Sequence, residues 1–404
     1  MNSTMKAILA VALSVIIASA GFIGGYVTAR VTPGSLSFDA IAAPADASRV
    51  GSRVDQVRAL LDKEALLPPS ETSATAGAIQ GMIESSGDKY ALYFDKKHYQ
   101  YFNEETAGAF GGIGVVLGEK DGRAYIVEVY DGTPAKKAGV RAGDVFRAID
   151  GVTRAKWTSD EVVKRVRGEE GTEVTIVMER PAKNPHTAPT SKTFTLTRAK
   201  ISYPNIKSEM IGSVGYIRLG QFNAKATDDV KAAVQSLAKK GAKSFVLDLR
   251  DNPGGLLDQA VKLSSLFIDN GVIVRVDERG KPEVELKTSG RKVTDAPLVV
   301  LINGNSASAS EITGGALQDY GRAKLVGEKS FGKGSVQSIE ELAWGGAVKF
   351  TTAHYLTPLR RIINGKGLTP DVAVKMDASK QADRKTDTQL ARALAIARAE
   401  AAKR

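Results

Sequence analysis

The spacing of hydrophobic positions changes several times along the 404 residues, and each change marks an element. Residues 7–26 form a mostly apolar run between Lys6 and Arg30, about 20 residues and long enough for one bilayer crossing. Val54, Val57, Leu60 and Leu61 then recur at helical spacing, and a second helix is expected over 73–84, with Met82 and Ile83 in core or interface. From Gly111 the period shortens. Segments 112–117, 124–129 and 144–149 read as strands divided by Asp121-Gly122, Asp131-Gly132 and Asp150-Gly151 turns. Thr158 with Glu161 predicts a capping box for a short helix that Gly168 ends, and residues 174–179 close this β-rich module.

Beyond a polar linker at 181–192, strands are expected at 193–197 and 214–219, and a helix at 227–238. A buried strand at 244–248 runs into Asp251-Asn252-Pro253-Gly254-Gly255, and a helix follows over 257–267. The apolar run 298–302, the breaker Asn303-Gly304-Asn305 and a helix opened by residues 306–311 lead to a further strand at 323–327. The alternation predicts an α+β or α/β multidomain chain, with an open, partly parallel sheet whose functional groups gather at strand C-termini. A last helix places Leu390, Leu394 and Ala397 on one side, to dock on the core or on a partner subunit.

Composition narrows the chemistry. Hydrophobic content of 43% and charged content of 25% are globular values. The net charge of +11 is scattered in short clusters such as Lys239-Lys240 and Arg360-Arg361, which argues against nucleic-acid binding. With no cysteine, disulfides, zinc ribbons and thiol catalysis are excluded. The three histidines, His98, His186 and His354, are far apart, so neither a metal site nor a Ser-His-Asp triad is expected.

Ser308 has two readings. Ser308-Ala309-Ser310-Glu311 fits a capping box, which needs no chemistry. A serine where a strand turns into a helix also exposes its Oγ beside backbone N–H groups that stabilise an oxyanion, and the 251–255 turn brings more such groups to the same sheet edge. A serine needs a base, and a desolvated lysine serves when histidines are scarce. Lys333, between Gly332 and Gly334 with Phe331 and Val336 nearby, is the candidate. The same loop nearly matches G-x-x-x-x-G-K, but Gly334 stands where a nucleotide site needs Ser or Thr. No cofactor is expected. Gly111-Gly112-Ile113-Gly114 leads into a strand; it is either an ordinary glycine-rich start or a nest for a peptide's C-terminal carboxylate.

The opening glycines, the element order and the string from Thr133 to Asp144 resemble a PDZ domain of the circularly permuted bacterial-protease sort. The strings at 306–312, 331–337 and 247–255 resemble the core motifs of the carboxyl-terminal processing proteases, tail-specific serine peptidases with a Ser–Lys dyad. Gly367-Leu368-Thr369-Pro370-Asp371-Val372 agrees; Gly87-Asp88-Lys89-Tyr90 departs, with Lys89 where the family usually has proline. The resemblance implies Ser308 as nucleophile, Lys333 as general base and Gln337 orienting the lysine. It implies an oxyanion hole from the Ala309 N–H with one from Gly254 or Gly255. Peptide would bind at Gly111, Gly112, Ile113 and Gly114, with Arg167 coupling binding to catalysis.

The expected organisation is a membrane anchor or signal peptide at 1–30, a spacer at 31–50 and a helical cap region at 51–107. A PDZ domain at 108–182, an α/β protease core at 193–375 and a helical segment at 376–404 complete it. The expected function is a serine endopeptidase that binds C-terminal tails of extracytoplasmic proteins through its PDZ and cleaves near them. The expected location is the cell membrane by a single pass, or a secreted or periplasmic one after signal cleavage. A homodimer is left open by the helices near both ends. The alternative is a non-catalytic PDZ scaffold for peptides.

Overall fold

The computed structural model describes residues 47–182, 188–202, 205–376 and 384–404. The anchor or signal peptide expected at 1–30 and most of the spacer at 31–50 lie outside the described residues. Among the described residues no helix is long and apolar enough to cross a membrane. Two compact units form: residues 103–205 with 223–225, and the rest of the described chain.

In the first unit a sheet runs in the order Val115–Lys120, Arg123–Val129, Val145–Ile149, Glu173–Arg180, Thr190–Thr197, with the short strand Val152–Thr153 on Val145–Ile149. Ile126, Phe146, Trp157, Ile176 and Met178 fill its core. The Thr158–Glu161 capping box forms as expected, Thr158 Oγ1 accepting the Glu161 N–H at 3.3 Å. Two expectations are corrected. Thr190–Thr197 does not belong to the protease core; it pairs antiparallel with Glu173–Arg180 over the whole strand and buries Leu196 in this unit. The linker expected at 181–192 therefore falls between, and partly within, two paired strands of one sheet and does not divide two domains. The strand expected at 112–117 is two strands, because Gly114 at φ +82° breaks the run. Ala109–Gly112 pairs with Ala199–Ser202, and Val115–Lys120 with Arg123–Val129.

The second unit is built on a six-stranded sheet: β1 (Ile206–Ile211), β2 (Val214–Leu219), β3 (Ser244–Asp248), β4 (Leu298–Ile302), β5 (Ala323–Gly327) and β6 (Val372–Ala373). Only β1 is antiparallel; β2 to β6 run parallel. All five residues of β3 and of β4 are buried, as continuous apolar runs covered on both faces must be. Phe245, Leu247, Val300 and Ile302 face α1 (Ala226–Lys239), α2 (Leu257–Ser265) and α3 (Ala309–Asp319). Val246, Val299 and Leu301 face α4 (Thr388–Ala402), whose Leu390, Leu394 and Ala397 pack there. Of the two docking alternatives for that helix, its own core is the observed one. At the other end, Ala47–Glu64 leaves Val54, Val57 and Leu60 exposed, and Met82 on the next helix is exposed as well.

A second, antiparallel sheet was not foreseen. It holds Leu92–Phe94, Val272–Glu278, Val284–Lys287, Ser335–Glu341 and Ala347–Leu356. Of the aromatic residues crowded into 90–102, Phe94 packs in tilted contacts against Tyr99 and Phe102, with Ala347 in the same cluster.

Candidate active site

Two sheet-edge turns are locked together beneath Ser308. Ser306 Oγ donates to the Leu249 carbonyl at 2.8 Å and accepts the Asn303 N–H at 3.0 Å. Ser310 Oγ donates to the Asn252 carbonyl at 2.9 Å, and the Ala307 N–H reaches the same carbonyl at 3.1 Å. Between these two framework serines Ser308 takes φ +53° and ψ −115°, a conformation that costs on the order of 1–3 kcal/mol for a side-chain-bearing residue. The rest of the turn over-determines it. Ser308 is buried, and its Oγ has no hydrogen-bond partner among the described residues. The capping box expected here is present: Glu311 accepts the Ser308 N–H at 2.9 Å, and the Ser308 side chain stands at the Glu311 N–H, though without the geometry of a hydrogen bond.

Gly254, at φ +100°, presses against this turn; a Cβ there would stand 2.8 Å from both the Ala309 nitrogen and Ser308 Cβ. Its own N–H is donated to Asn252 Oδ1 at 2.9 Å, so it is engaged within its turn. The N–H groups of Gly255 and Ala309 have no acceptor among the described residues. Of the two glycines expected as alternatives, Gly255 is therefore the one with a donor to offer, and Gly254 supplies the room.

Lys333 is buried in the connection from β5 to Ser335–Glu341. Gly332 (φ +92°) and Gly334 lie against the backbone of residues 364–367, where a Cβ on Gly334 would come 2.3 Å from the Asn364 nitrogen. Burial pushes the Lys333 amine down to about 7, and the neighbouring Lys349 charge adds to the fall; Glu311 and Asp88 oppose it. Its Nζ lies 5.0 Å from the centre of the Tyr90 ring. Gln337 is buried too: its Nε2 donates to the Tyr90 carbonyl at 3.0 Å, while Oε1 has no partner among the described residues. That leaves an acceptor available beside the lysine's loop. The near-match to a nucleotide loop is overturned, since a strand and not a phosphate-cradling helix follows Lys333.

Glu311 ties the site together, a role that the capping motif alone did not disclose. Its Oε1 accepts Ser330 Oγ at 2.5 Å and the Gly332 N–H at 2.8 Å; its Oε2 accepts the N–H groups of Ser308 and Lys333, both at 2.9 Å. Burial raises the proton affinity of this carboxylate and the four hydrogen bonds pull against it. Sequence reading also missed Lys349 and Asp88. A lysine flanked by Val348 and Phe350 in a strand was the available signal for Lys349; Asp88 has the local pattern of an ordinary turn aspartate.

In the first unit, Gly111 and Gly112 are spent on ladder pairing with Lys200 and Ala199. The N–H groups of Ile113 and Gly114 have no acceptor among the described residues. Gly114 must be glycine, because a Cβ would meet the Thr133 side chain at 2.3 Å. Arg167 reaches Glu104 at 3.4 Å and lies 4.7 Å from the Phe110 ring centre.

Comparison with known proteins finds a peptidase region and a PDZ region in the chain. Residues 213–374 match peptidase family S41, and residues 125–180 match a PDZ domain. The chain is 37% identical over 326 residues to the "Probable CtpA-like serine protease" of Staphylococcus aureus (strain bovine RF122 / ET3-1), covering 80% of this chain and 64% of that one. A Staphylococcus saprophyticus relative of the same name is 36% identical over 329 residues, covering 81% of this chain and 66% of its own. The chain thus spans just under two thirds of the length of these relatives. The fold is shared with a solved "Putative S41 protease" from Bacteroides fragilis NCTC 9343, at a TM-score of 0.50 and 18% identity, over 85% of this chain and 96% of that one. The chain belongs to the carboxyl-terminal processing serine protease family, and it carries that family's PDZ module.

Proposed function

We propose that the chain is a serine endopeptidase in which Ser308 attacks a peptide carbonyl and Lys333 serves as general base. One observation carries the reading: the buried Glu311 carboxylate binds the backbone of both residues, at 2.9 Å each, and so fixes the strained serine and the desolvated lysine on one support. The neutral lysine takes the Ser308 proton as Oγ bonds to the carbonyl carbon. The oxyanion is met by the N–H groups of Ala309 and Gly255. Lys333 returns the proton to the leaving amine as the C–N bond breaks. Water then enters and loses a proton to the same lysine as it attacks the acyl carbon, and the lysine passes that proton to Ser308 Oγ as the acid leaves. Gln337, whose Oε1 has no partner in the resting site among the described residues, is assigned to orient the lysine by accepting from the ammonium once it forms.

The substrate is a polypeptide held by its C-terminal tail. The Ile113 and Gly114 N–H groups are suited to its carboxylate, and the adjoining strand edge adds the tail as an extra strand. Arg167, paired with Glu104, is a candidate to relay that binding. The apolar run at 7–26 favours work outside the cytoplasm, with the chain held by a single pass or released after signal cleavage. Cleavage of a tail peptide by the intact protein, beside Ser308→Ala and Lys333→Ala, tests the reading. Loss in both variants is expected; undiminished cleavage in either refutes the dyad.

A further inference from the structure

The most unusual group not used by this mechanism is Lys349. It is 1% exposed, in the middle of Ala347–Leu356, and its Nζ lies 5.6 Å from the centre of the Phe94 ring. Burying the charge of a lysine there is costly. Its surroundings connect it to the base. The strap from Asp88 to Phe94 is latched at one end by Asp88, whose Oδ2 accepts the Thr351 N–H at 2.7 Å and whose Oδ1 accepts Thr351 Oγ1 at 3.1 Å. At the other end Leu92, Tyr93 and Phe94 pair with Lys349, Val348 and Ala347. The middle of the strap, Tyr90, presents its ring to Lys333 and its carbonyl to Gln337.

We propose that Lys349 is a positioning residue for Lys333: it lies buried as a second cationic side chain under the same Asp88–Phe94 strap whose Tyr90 ring faces the catalytic amine. The inference rests on Lys333 being the base. The charged groups that face Lys333 are Lys349, Glu311 and Asp88. The two carboxylates favour the protonated amine, so burial and Lys349 are what keep it neutral. Burial pushes Lys349 down as well, to about 8, and Asp88 opposes that fall. The strap thus both excludes water and holds the second cation in place.

Competitive acetylation of the intact protein with acetic anhydride, read by mass spectrometry across pH, reports the proton affinity of Lys333 without requiring peptidase activity. Lys349→Met removes the charge and keeps the length; Lys349→Arg keeps the charge. In Lys349→Met the Lys333 profile, and the acid limb of kcat/KM with it, should move up by about one pH unit. Lys349→Arg should restore the unshifted profile, with melting temperatures checking that both variants fold. An unmoved Lys333 profile in Lys349→Met, against a low value in the unaltered protein, overturns the role of Lys349. An ordinary lysine profile in the unaltered protein instead overturns the base itself, which separates the two failures.

Discussion

Glu311 holds Ser308 by its backbone: Glu311 Oε2 accepts the Ser308 N–H at 2.9 Å, while Ser308 Oγ, turned to the Glu311 N–H, makes no hydrogen bond among the described residues. A reciprocal capping box would occupy the hydroxyl. Here the carboxylate holds the Ser308 backbone, and the hydroxyl is left for other chemistry beside the positive end of α3.

Glu311→Gln should therefore damage more than a cap. The carboxylate serves four donors on two oxygens, and an amide turns one of those positions into a donor facing donors. A stability loss of about 1–3 kcal/mol is expected, measured by urea denaturation, with kcat falling more than KM rises. Wild-type stability and kcat in this variant would show that the bracket is dispensable.

Gly254→Ala should cripple turnover. Its φ of +100° disfavours any side chain, and the added Cβ would press on the Ser308–Ala309 turn. A fall in kcat of about 100-fold or more is expected, the scale of losing one oxyanion donor. Circular dichroism of the variant separates this from unfolding.

The pH dependence follows from Lys333 at about 7 and Lys349 at about 8. Both folded values lie below that of an unfolded lysine, about 10.4. Between the folded and unfolded values the unfolded chain binds more protons, so these groups make stability rise with pH across that window and fall as pH drops towards 7. Urea midpoints at pH 7 and pH 9 should show the rise, and Lys333→Met should flatten it. A slope that Lys333→Met leaves unchanged would locate the effect elsewhere.

The C-terminal helix is held by charge as well as packing. Arg250 is buried, with Nη1 and Nη2 donating to Asp387 at 3.0 and 2.9 Å and Nη2 to Asp248 Oδ2 at 2.6 Å. Asp387 also accepts the Leu390 N–H at 2.8 Å as the cap of α4. Asp387→Ala leaves a buried guanidinium short of a partner and should cost about 3–5 kcal/mol, measured by chemical denaturation. A loss below about 1 kcal/mol, the scale of an exposed pair, would contradict that account.

How much of this the sequence disclosed depended on the range of the interaction. Continuous apolar runs marked β3 and β4, because strands covered on both faces need no polar alternation. The strand-to-helix turn at Ser308 and the glycine frame of Lys333 were legible as local chemistry. The strand expected at 193–197 was assigned to the wrong domain because pairing partners, not local pattern, decide where a mostly exposed strand belongs. Asp88 and Lys349 were missed for the same reason: 263 residues separate Asp88 from the Thr351 it binds. Glu311 was read at three residues' range, as a cap, while its bonds to Gly332 and Lys333 span 21 and 22 residues.

The central claim is that Ser308 is a nucleophile made reactive by Lys333. Labelling the intact protein with a fluorophosphonate at pH 8, followed by peptide mapping, tests it directly. One adduct on Ser308, absent in Ser308→Ala and slowed at least about 100-fold in Lys333→Ala, is the predicted result. Labelling that spares Ser308, or that proceeds at the wild-type rate without Lys333, would contradict it.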